Sequence, residues 1–533
     1  MADELVSVAE DSARGSFFLV SGTAASTVIL AISTILVGRL LGSELYGMYT
    51  LALVIPNLLL LFTDLGIDQG IIKFTASLRL KGEAQRAAKI IKHGLLFKAI
   101  AGVLVFLVSY ALADILASFL LQRPDMTFYI RIISTSILFQ AIFATQTLAF
   151  VGLDKAEYTA LAVNIQAFAK AIISIMLVLL GFGVLGATVG FVSGYVIAAV
   201  STTAILFLLM REKQDPIDDF HIGESLKTLM HYGTPLYLSA LLTGFTPFYQ
   251  SIMLSIFTTY GDIGNYNAAG NFSAIMAIIS GPITTALLPA FSKIDSSTKR
   301  RIKVFFKLAN KYTVLIVVPI ATLMIVFSTE IVQIVYGSTF QSASLFLAMY
   351  YFLYFLVGLG YLALNSFYNG IGETGTTLKI NIIIFVTIAI LSPFLTKAYG
   401  VPGLIIAFLV ANGAGTIYGS YTARKKFQIE FATRSIIKTY LISAASIGPT
   451  LLLSLIHTSR LVTLIAGAAI FLFMYITLIP LARIVSAPEL QRIFHIVQKI
   501  RVVAFIAKPI LKYQQKILGT NGKLTDDDET RIY

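Results

Sequence analysis

The chain is 533 residues long, 57% hydrophobic and only 13% charged, with a mean hydropathy of +0.84. No soluble core of this length can hide so much apolar surface, whereas a bilayer accepts it. Its 40 Lys and Arg outnumber its 27 Asp and Glu for a net charge of +13, yet no nucleic-acid-binding motif accompanies them, and the absence of Cys excludes disulfides and thiolate metal sites.

In chain order, the first residues carry Asp3, Glu4, Glu10, Asp11 and a single Arg14, not the basic stretch of a cleaved signal, so the first helix is expected to stay. Apolar stretches of about 20 residues, the length a span requires, then recur. They lie near 17–37, 46–66, 94–120, 128–151, 157–180, 187–210, 233–257, 265–290, 313–336, 344–368, 378–397, 403–423, 437–456 and 461–483. The expected fold is therefore an all-α polytopic membrane protein of fourteen transmembrane helices. After the last span, Leu490, Ile493, Phe494, Val497 and Ile500 alternate with Arg492, Lys499 and Arg501, a pattern that predicts an amphipathic helix on the inner leaflet within Pro488–Lys516. Asp526 to Glu529 close the chain in an acidic tail.

The second half repeats the first at an offset of 217 residues. Tyr46-Gly47-Met48-Tyr49 answers Ile263-Gly264-Asn265-Tyr266, Asn164 to Phe168 answers Asn381 to Phe385, and Gly183 to Gly186 answers Gly400 to Gly403, while an indel shifts Gly152 against Gly370 to 218. Six helices per copy is an even number, so both copies enter the membrane in the same direction and should be related by an axis along its normal. This divides the chain into a first lobe at 1–210, a cytoplasmic linker at 211–232, a second lobe at 233–425, two further helices at 437–483, and the amphipathic helix and tail at 484–533. Small residues every fourth position, Gly186, Gly190, Gly194 and Ala198 in one copy and Gly403, Ala407, Ala411 and Gly415 in the other, form stripes that let helices pack closely.

With the N-terminus placed in the cytoplasm, 33 of the 40 Lys and Arg fall on the inner side, and only Arg39, Arg123, Lys397 and Arg460 fall on the outer connections. That bias is the positive-inside signature, and it reads Lys299-Arg300-Arg301 and Arg424-Lys425-Lys426 as charges facing anionic headgroups. Trp is absent, so Tyr46, Tyr49, Tyr129, Tyr266, Tyr336 and Tyr399, near the predicted outer ends, are expected to serve as interfacial anchors. The five His residues show no metal-ligand spacing.

The stretch Arg39 to Tyr49, the segment Thr63-Asp64-Leu65-Gly66, and Tyr336 to Ala343 resemble the prokaryotic polysaccharide-export flippases of the multidrug/oligosaccharidyl-lipid/polysaccharide (MOP) superfamily, and the glycine turns at 183–186 and 400–403 fit the same pattern. The resemblance implies two pseudo-two-fold related six-helix lobes in a V around a central cavity, with helices 13 and 14 beside the second lobe. It implies a monomer in the cytoplasmic membrane with both termini inside, no resident cofactor, and a polyprenyl-(pyro)phosphate-linked oligosaccharide as substrate, flipped for polysaccharide or glycoprotein assembly. Membrane lipids and glycan-assembly proteins are the partners implied; nucleic acid is not.

Ionisable groups inside spans cost about 2.5–3.5 kcal/mol at mid-bilayer and usually face protein or water. Lys170, with Gln166 one turn before it, either holds the lipid phosphate or is tied to a neighbouring carbonyl or carboxylate. Lys98 can snorkel to the cytoplasm, and Arg131 can pair with Asp114. Arg14 and Lys73 flank the first two helices on the cytoplasmic side, where they either capture an incoming phosphate or serve as topology charges. Asn265, Asn267 and Asn271 give helix 8 a polar outer half that either meets sugar hydroxyls or packs between helices. Asp64 and Glu330, partly shielded carboxylates, are candidates for H+ or Na+ coupling.

Other functions fit less well. No Gly-x-x-x-x-Gly-Lys-Ser/Thr loop is present for an ATP-driven pump. The short outer connections carry no paired catalytic carboxylates, which argues against an enzyme. An ion-coupled multidrug exporter of the same superfamily is the main rival, although helix 1 from Phe17 to Val37 holds no charge. A non-transporting scaffold of a glycan-assembly complex is the third class.

Overall fold

The computed structural model describes residues 2–211, 221–293, 299–450, 459–498 and 501–518. Among these residues every regular element is a helix. The first copy of the repeat runs through α1 (Ala2–Ala52), α2 (Val54–Leu60), α3 (Ile67–Leu80), α4 (Ala84–Ala111), α5 (Ala113–Ile115), α6 (Thr127–Ser134), α7 (Ser136–Gly152), α8 (Ala156–Leu177) and α9 (Gly183–Arg211). The second runs through α10 (Ile222–Phe257), α11 (Tyr260–Asn271), α12 (Ser273–Ser292), α13 (Lys299–Val326), α14 (Ser328–Val335), α15 (Gln341–Tyr351), α16 (Leu364–Gly370), α17 (Thr374–Tyr399) and α18 (Val401–Phe427). Beyond it lie α19 (Thr433–Ala445), α20 (Arg460–Leu481), α21 (Ala487–Gln498) and α22 (Arg501–Ile517). By length and composition nine described helices are able to cross a membrane, and ten if the bent pair Pro124–Ser134 and Ser136–Gly152 is one span. The protein is a multi-pass membrane protein.

Glycine and left-handed residues punctuate these helices where the sequence reading saw only continuous apolar runs. Gly42 takes φ 74° inside α1 and turns the first span into the second. The second span does not stop at residue 66. It breaks at Leu65 and Gly66, with φ of 46° and 92°, and continues as the amphipathic α3, so residues 67–80 extend a helix that hydropathy alone would end. The turns at Gly183 and Gly400 also share positive φ, 53° and 62°, as their place in the repeat requires.

The chain forms two compact units. The first comprises Met1–Asn271, Val335–Phe346 and Phe385–Phe408. Its core holds Ile67, Ile71, Ile90, Ile91, Phe150 and Leu229, with a second cluster of Phe143, Ala162, Ala198 and Ala199. The small-residue stripe of α9 packs on α8: β-carbons placed on Gly186 and Gly194 would come within 2.9 Å of Leu177 and 2.8 Å of Lys170.

The second unit comprises Phe272–Ile334, Leu347–Ile384 and Leu409–Tyr533. Edge-to-face aromatic pairs dominate its core, with Phe291 and Phe306 each against Phe367 at ring separations of 5.3 and 5.2 Å. The C-terminal amphipathic segment is two helices, not one. Part of its apolar side packs on protein: Leu490 and Leu511 are buried in one cluster with Phe471, Tyr475 and Ile479, while Phe505 is exposed. Residues 451–458, which include the end of the predicted thirteenth span, and the tail from 519 lie outside the described residues.

Candidate functional site

Within the first unit the two copies of the repeat meet through equivalent residues, where α1 and α11 cross. A β-carbon on Gly47 would collide with the carbonyl of Tyr260 and lie 2.9 Å from the Gly264 nitrogen; one on Gly264 would collide with the carbonyl of Ser43 and lie 3.0 Å from the Gly47 nitrogen. Ser43 and Tyr260 stand 217 residues apart, as do Gly47 and Gly264. Asn267 Nδ2 donates to Thr50 Oγ1 at 3.1 Å, across the same interval. A contact in which residue i touches j and j touches i is the mark of a two-fold axis.

Two loops of the sparsely charged side tighten that crossing. Arg123 of the first copy donates to the carbonyls of Ser255 and Thr258 at 3.2 and 2.5 Å, and its guanidinium covers Tyr260 at 4.6 Å. Asp125 accepts from the Tyr260 hydroxyl at 2.5 Å. From the second copy, Tyr336 and Phe340 return the grip on Tyr46, with ring centroids 6.5 and 6.0 Å away. Asn271 Nδ2 donates to the hydroxyls of both Tyr46 and Tyr336 at 2.9 Å. Tyr46, Tyr49 and Tyr336 are therefore buried in this clasp and do not anchor at the lipid interface; of the predicted anchors only Tyr399 is largely exposed.

The asparagines of α11 are likewise engaged by protein. Asn265 Oδ1 accepts the main-chain N–H of Ala343 at 2.9 Å, and Asn265 Nδ2 donates to the Gly261 carbonyl at 2.7 Å. Asn267 also bonds the Ile263 carbonyl at 2.9 Å.

A second constellation sits at the break in the second span. Asp64 ends the 3-10 turn that closes the upper half, and Asp68 lies in the first turn of α3. The main-chain N–H of Asp68 donates to Asp64 Oδ1 at 3.0 Å, so one side chain ties the two halves of the span together. Lys98 of α4 is only 2% exposed and does not snorkel; its ammonium lies 2.9 Å from Asp68 Oδ2 and 3.3 Å from Asp64 Oδ1. Thr145 of α7 donates to Asp68 Oδ1 at 2.6 Å. From α10, Thr234 Oγ1 donates to the Leu65 carbonyl at 3.3 Å. Gly66 and Gly233 meet backbone to backbone, with no room for a side chain on either. One turn further along α10 the buried Tyr237 hydroxyl has no hydrogen-bond partner among the described residues, and Tyr237 lies near Asp64. The cluster carries two carboxylates against one ammonium.

The remaining predicted residues are scattered. Lys170 is partly exposed on α8, its ammonium 5.2 Å from the Phe191 ring, and no described carboxylate lies within ion-pair reach. Gln166 is buried one turn before it. Arg131 is spent on Asp114 at 2.6 Å. Lys73 rests over the Tyr232 ring at 3.6 Å. Glu330 is half-buried in the first turn of α14 with no described cation in reach. The side chain of Arg14 lies outside the described residues. No group of three or more His, Asp or Glu able to hold a metal occurs among the described residues. Sequence reading brought Asp64 and Lys98 forward separately but missed Asp68 and Thr145. The signal available was a second carboxylate four residues beyond Asp64, just past the end of the same apolar run.

Solved structures share this fold. Over 87% of this chain and 99% of the other, the structure is similar to the lipid II flippase MurJ in its inward closed conformation, with a TM-score of 0.68 and 17% identity. A MATE family multidrug resistance transporter of the MOP superfamily in its inward-facing conformation matches 75% of this chain and 94% of its own, with a TM-score of 0.62 and 17% identity. The chain belongs to the polysaccharide biosynthesis protein family, whose pattern matches residues 12–295. It is 23% identical over 215 residues to the probable low-salt glycan biosynthesis flippase Agl15 of Haloferax volcanii, a match that spans 39% of this chain and 44% of that relative.

Proposed function

We propose that this protein is a flippase that moves a polyprenyl-(pyro)phosphate-linked oligosaccharide across the cytoplasmic membrane by alternating access, for polysaccharide or glycoprotein assembly. It acts as a fourteen-span monomer of two lobes with both termini in the cytoplasm. Membership of the polysaccharide biosynthesis family and the relative named a glycan biosynthesis flippase support the substrate class. The observation that carries the transport reading is the reciprocal crossing of Gly47 and Gly264. The copies also meet backbone to backbone at Gly66 and Gly233, and close contacts between smooth glycine faces are surfaces along which two repeats can part or slide, as alternating access between repeats demands. Lys170, a cation with no described carboxylate partner, is the group offered to the lipid phosphate, with Gln166 beside it.

Reconstitution with a fluorescent polyprenyl-pyrophosphate sugar tests the reading. Leaflet exchange is expected in the native protein and a loss of about tenfold or more in Lys170→Ala, since an interaction of about 1.4 kcal/mol already sets a factor of ten. No exchange in the native protein would discard the function; full exchange in the variant would discard Lys170 alone. The likeness to multidrug transporters favours one second reading, ion-coupled multidrug export, which dye efflux from the same vesicles would reveal.

A further inference from the structure

Burying ionised groups is costly unless their charges balance, and an unbalanced buried charge is what a counter-ion or a proton relieves. At the break of the second span the balance fails by one. The groups that face one another there are Asp64 at the break, Asp68 on α3, Lys98 on α4 and the Tyr237 hydroxyl on α10, while α7 adds only the uncharged Thr145. The two carboxylates are not equivalent. Asp68 has both oxygens committed, Oδ1 to Thr145 and Oδ2 to Lys98, and its side chain is 13% exposed. Asp64 is 25% exposed, stands farther from the ammonium, and uses only Oδ1 for both of its bonds. Its Oδ2 can accept a proton without the loss of any of them. The buried Tyr237 hydroxyl, without a hydrogen-bond partner among the described residues, supplies a polar neighbour on the facing helix. A metal ion is the poorer relief, since the ammonium of Lys98 already occupies the place between the carboxylates and would repel it.

We propose that Asp64 is an exchangeable proton site, with the Asp68–Lys98 pair as its fixed half. The step is Asp64 carboxylate plus one proton giving the carboxylic acid; nothing else changes covalently. Protonated, the cluster is neutral. Ionised, it keeps one negative charge that only solvent can stabilise, so the ionised form favours whichever arrangement opens the break to water. The site lies where such a preference has leverage. Asp64 Oδ1 holds the start of α3, and the two left-handed residues that follow form the joint between the halves of the span.

The site is independent of which substrate the protein carries, so its test needs none. Infrared difference spectra of the full-length protein in lipid nanodiscs, taken on acidification, report protonated carboxyl groups directly. The expected result is a protonated-carboxyl band in the native protein that is missing in Asp64→Asn, retained in the surface control Asp114→Asn, and weakened or moved to lower pH in Asp68→Asn, where one ammonium then faces one carboxylate. Retention of the full band in Asp64→Asn, or its absence from the native protein, would overturn the proposal. Should Asp64→Asn fail to fold, Asp64→Glu must move the band's frequency or its titration midpoint, and an unmoved band would be equally fatal. Native protein that flips no lipid but shows the Asp64 band would sink the flippase reading and leave the proton site standing.

Discussion

At the 217-residue offset, Asp64, Asp68 and Lys98 of the first repeat fall on Gly281, Thr285 and Leu315 of the second. Where the first copy breaks its helix at Leu65 and Gly66, the second runs unbroken through Gly281 and Pro282 in α12. Thr285 there makes only a local bond to the Gly281 carbonyl at 2.9 Å. Yet at Gly47 and Gly264 the copies remain interchangeable, down to which neighbour each glycine touches. Duplication explains the sameness at the crossing, because an axis constrains both partners at once. Away from the axis nothing holds the copies alike, and one has become a charged hinge while the other has stayed a neutral rod.

Removal of Lys98 attacks that difference hardest. Lys98→Ala leaves two carboxylates facing each other in a buried site, and breaking a buried pair costs about 3–5 kcal/mol. Thermal unfolding in detergent should show a large fall in midpoint, with much of it recovered in the triple change Lys98→Met, Asp64→Asn, Asp68→Asn, which removes the charges together. No recovery would mean that the lysine stem fills space and that charge balance is beside the point.

Next in size is a pair of glycine-to-alanine changes, one at the broken joint and one in the unbroken helix of the other copy. Gly66→Ala forces a side chain into φ 92° and into the backbone of Gly233, for a loss of about 2 kcal/mol or more. Gly281→Ala places its β-carbon where nothing lies within 4 Å in an intact helix, so it should stabilise by about 0.5–1 kcal/mol. Equal effects at both positions would erase the contrast. The crossing predicts the opposite pattern: Gly47→Ala and Gly264→Ala should each destabilise by about 1–3 kcal/mol, and to the same extent. A tolerant position beside an intolerant one would show that the reciprocity does not extend to energy.

How much of this could be read from the sequence follows from what each feature depends on. The repeat, the apolar spans and the Gly183 and Gly400 turns are visible because lipid and backbone geometry impose them locally. The charged hinge was half visible. Asp64 and Lys98 stood out as intramembrane charges, but Asp68 did not, because the apolar run ends at residue 66 and a hydropathy reading ends the helix with it. The left-handed turn at Leu65 and Gly66 lets the helix resume, and only α4 and α7 in place show what Asp68 meets. Tyr46 and Tyr336 were misplaced for a related reason: a tyrosine near a span end looks the same whether lipid or a second copy of the fold lies beside it.

The second copy has its own shielded lysine, and it offers the mildest test of the contrast. Lys311 of α13 turns away from its own repeat to Glu489 of α21, at 2.8 and 2.9 Å from the two carboxylate oxygens. Burial alone would raise the Glu489 carboxyl, but the hydrogen bonds from Lys311 and from the Ser486 main-chain N–H outweigh it and hold the group below the usual carboxylate range. A carboxyl depressed on folding contributes stability that is present above its unfolded value of about 4.3 and is lost as the pH falls through the lower folded value. Glu489→Gln should therefore unfold earlier than the native protein at neutral pH, by about 1–2 kcal/mol, and the two should converge in acid. Because Glu489 lies beyond the repeat, this difference should come without any change in the Asp64 carboxyl band. A shift of that band in Glu489→Gln would mean that the charges of the two copies are coupled after all.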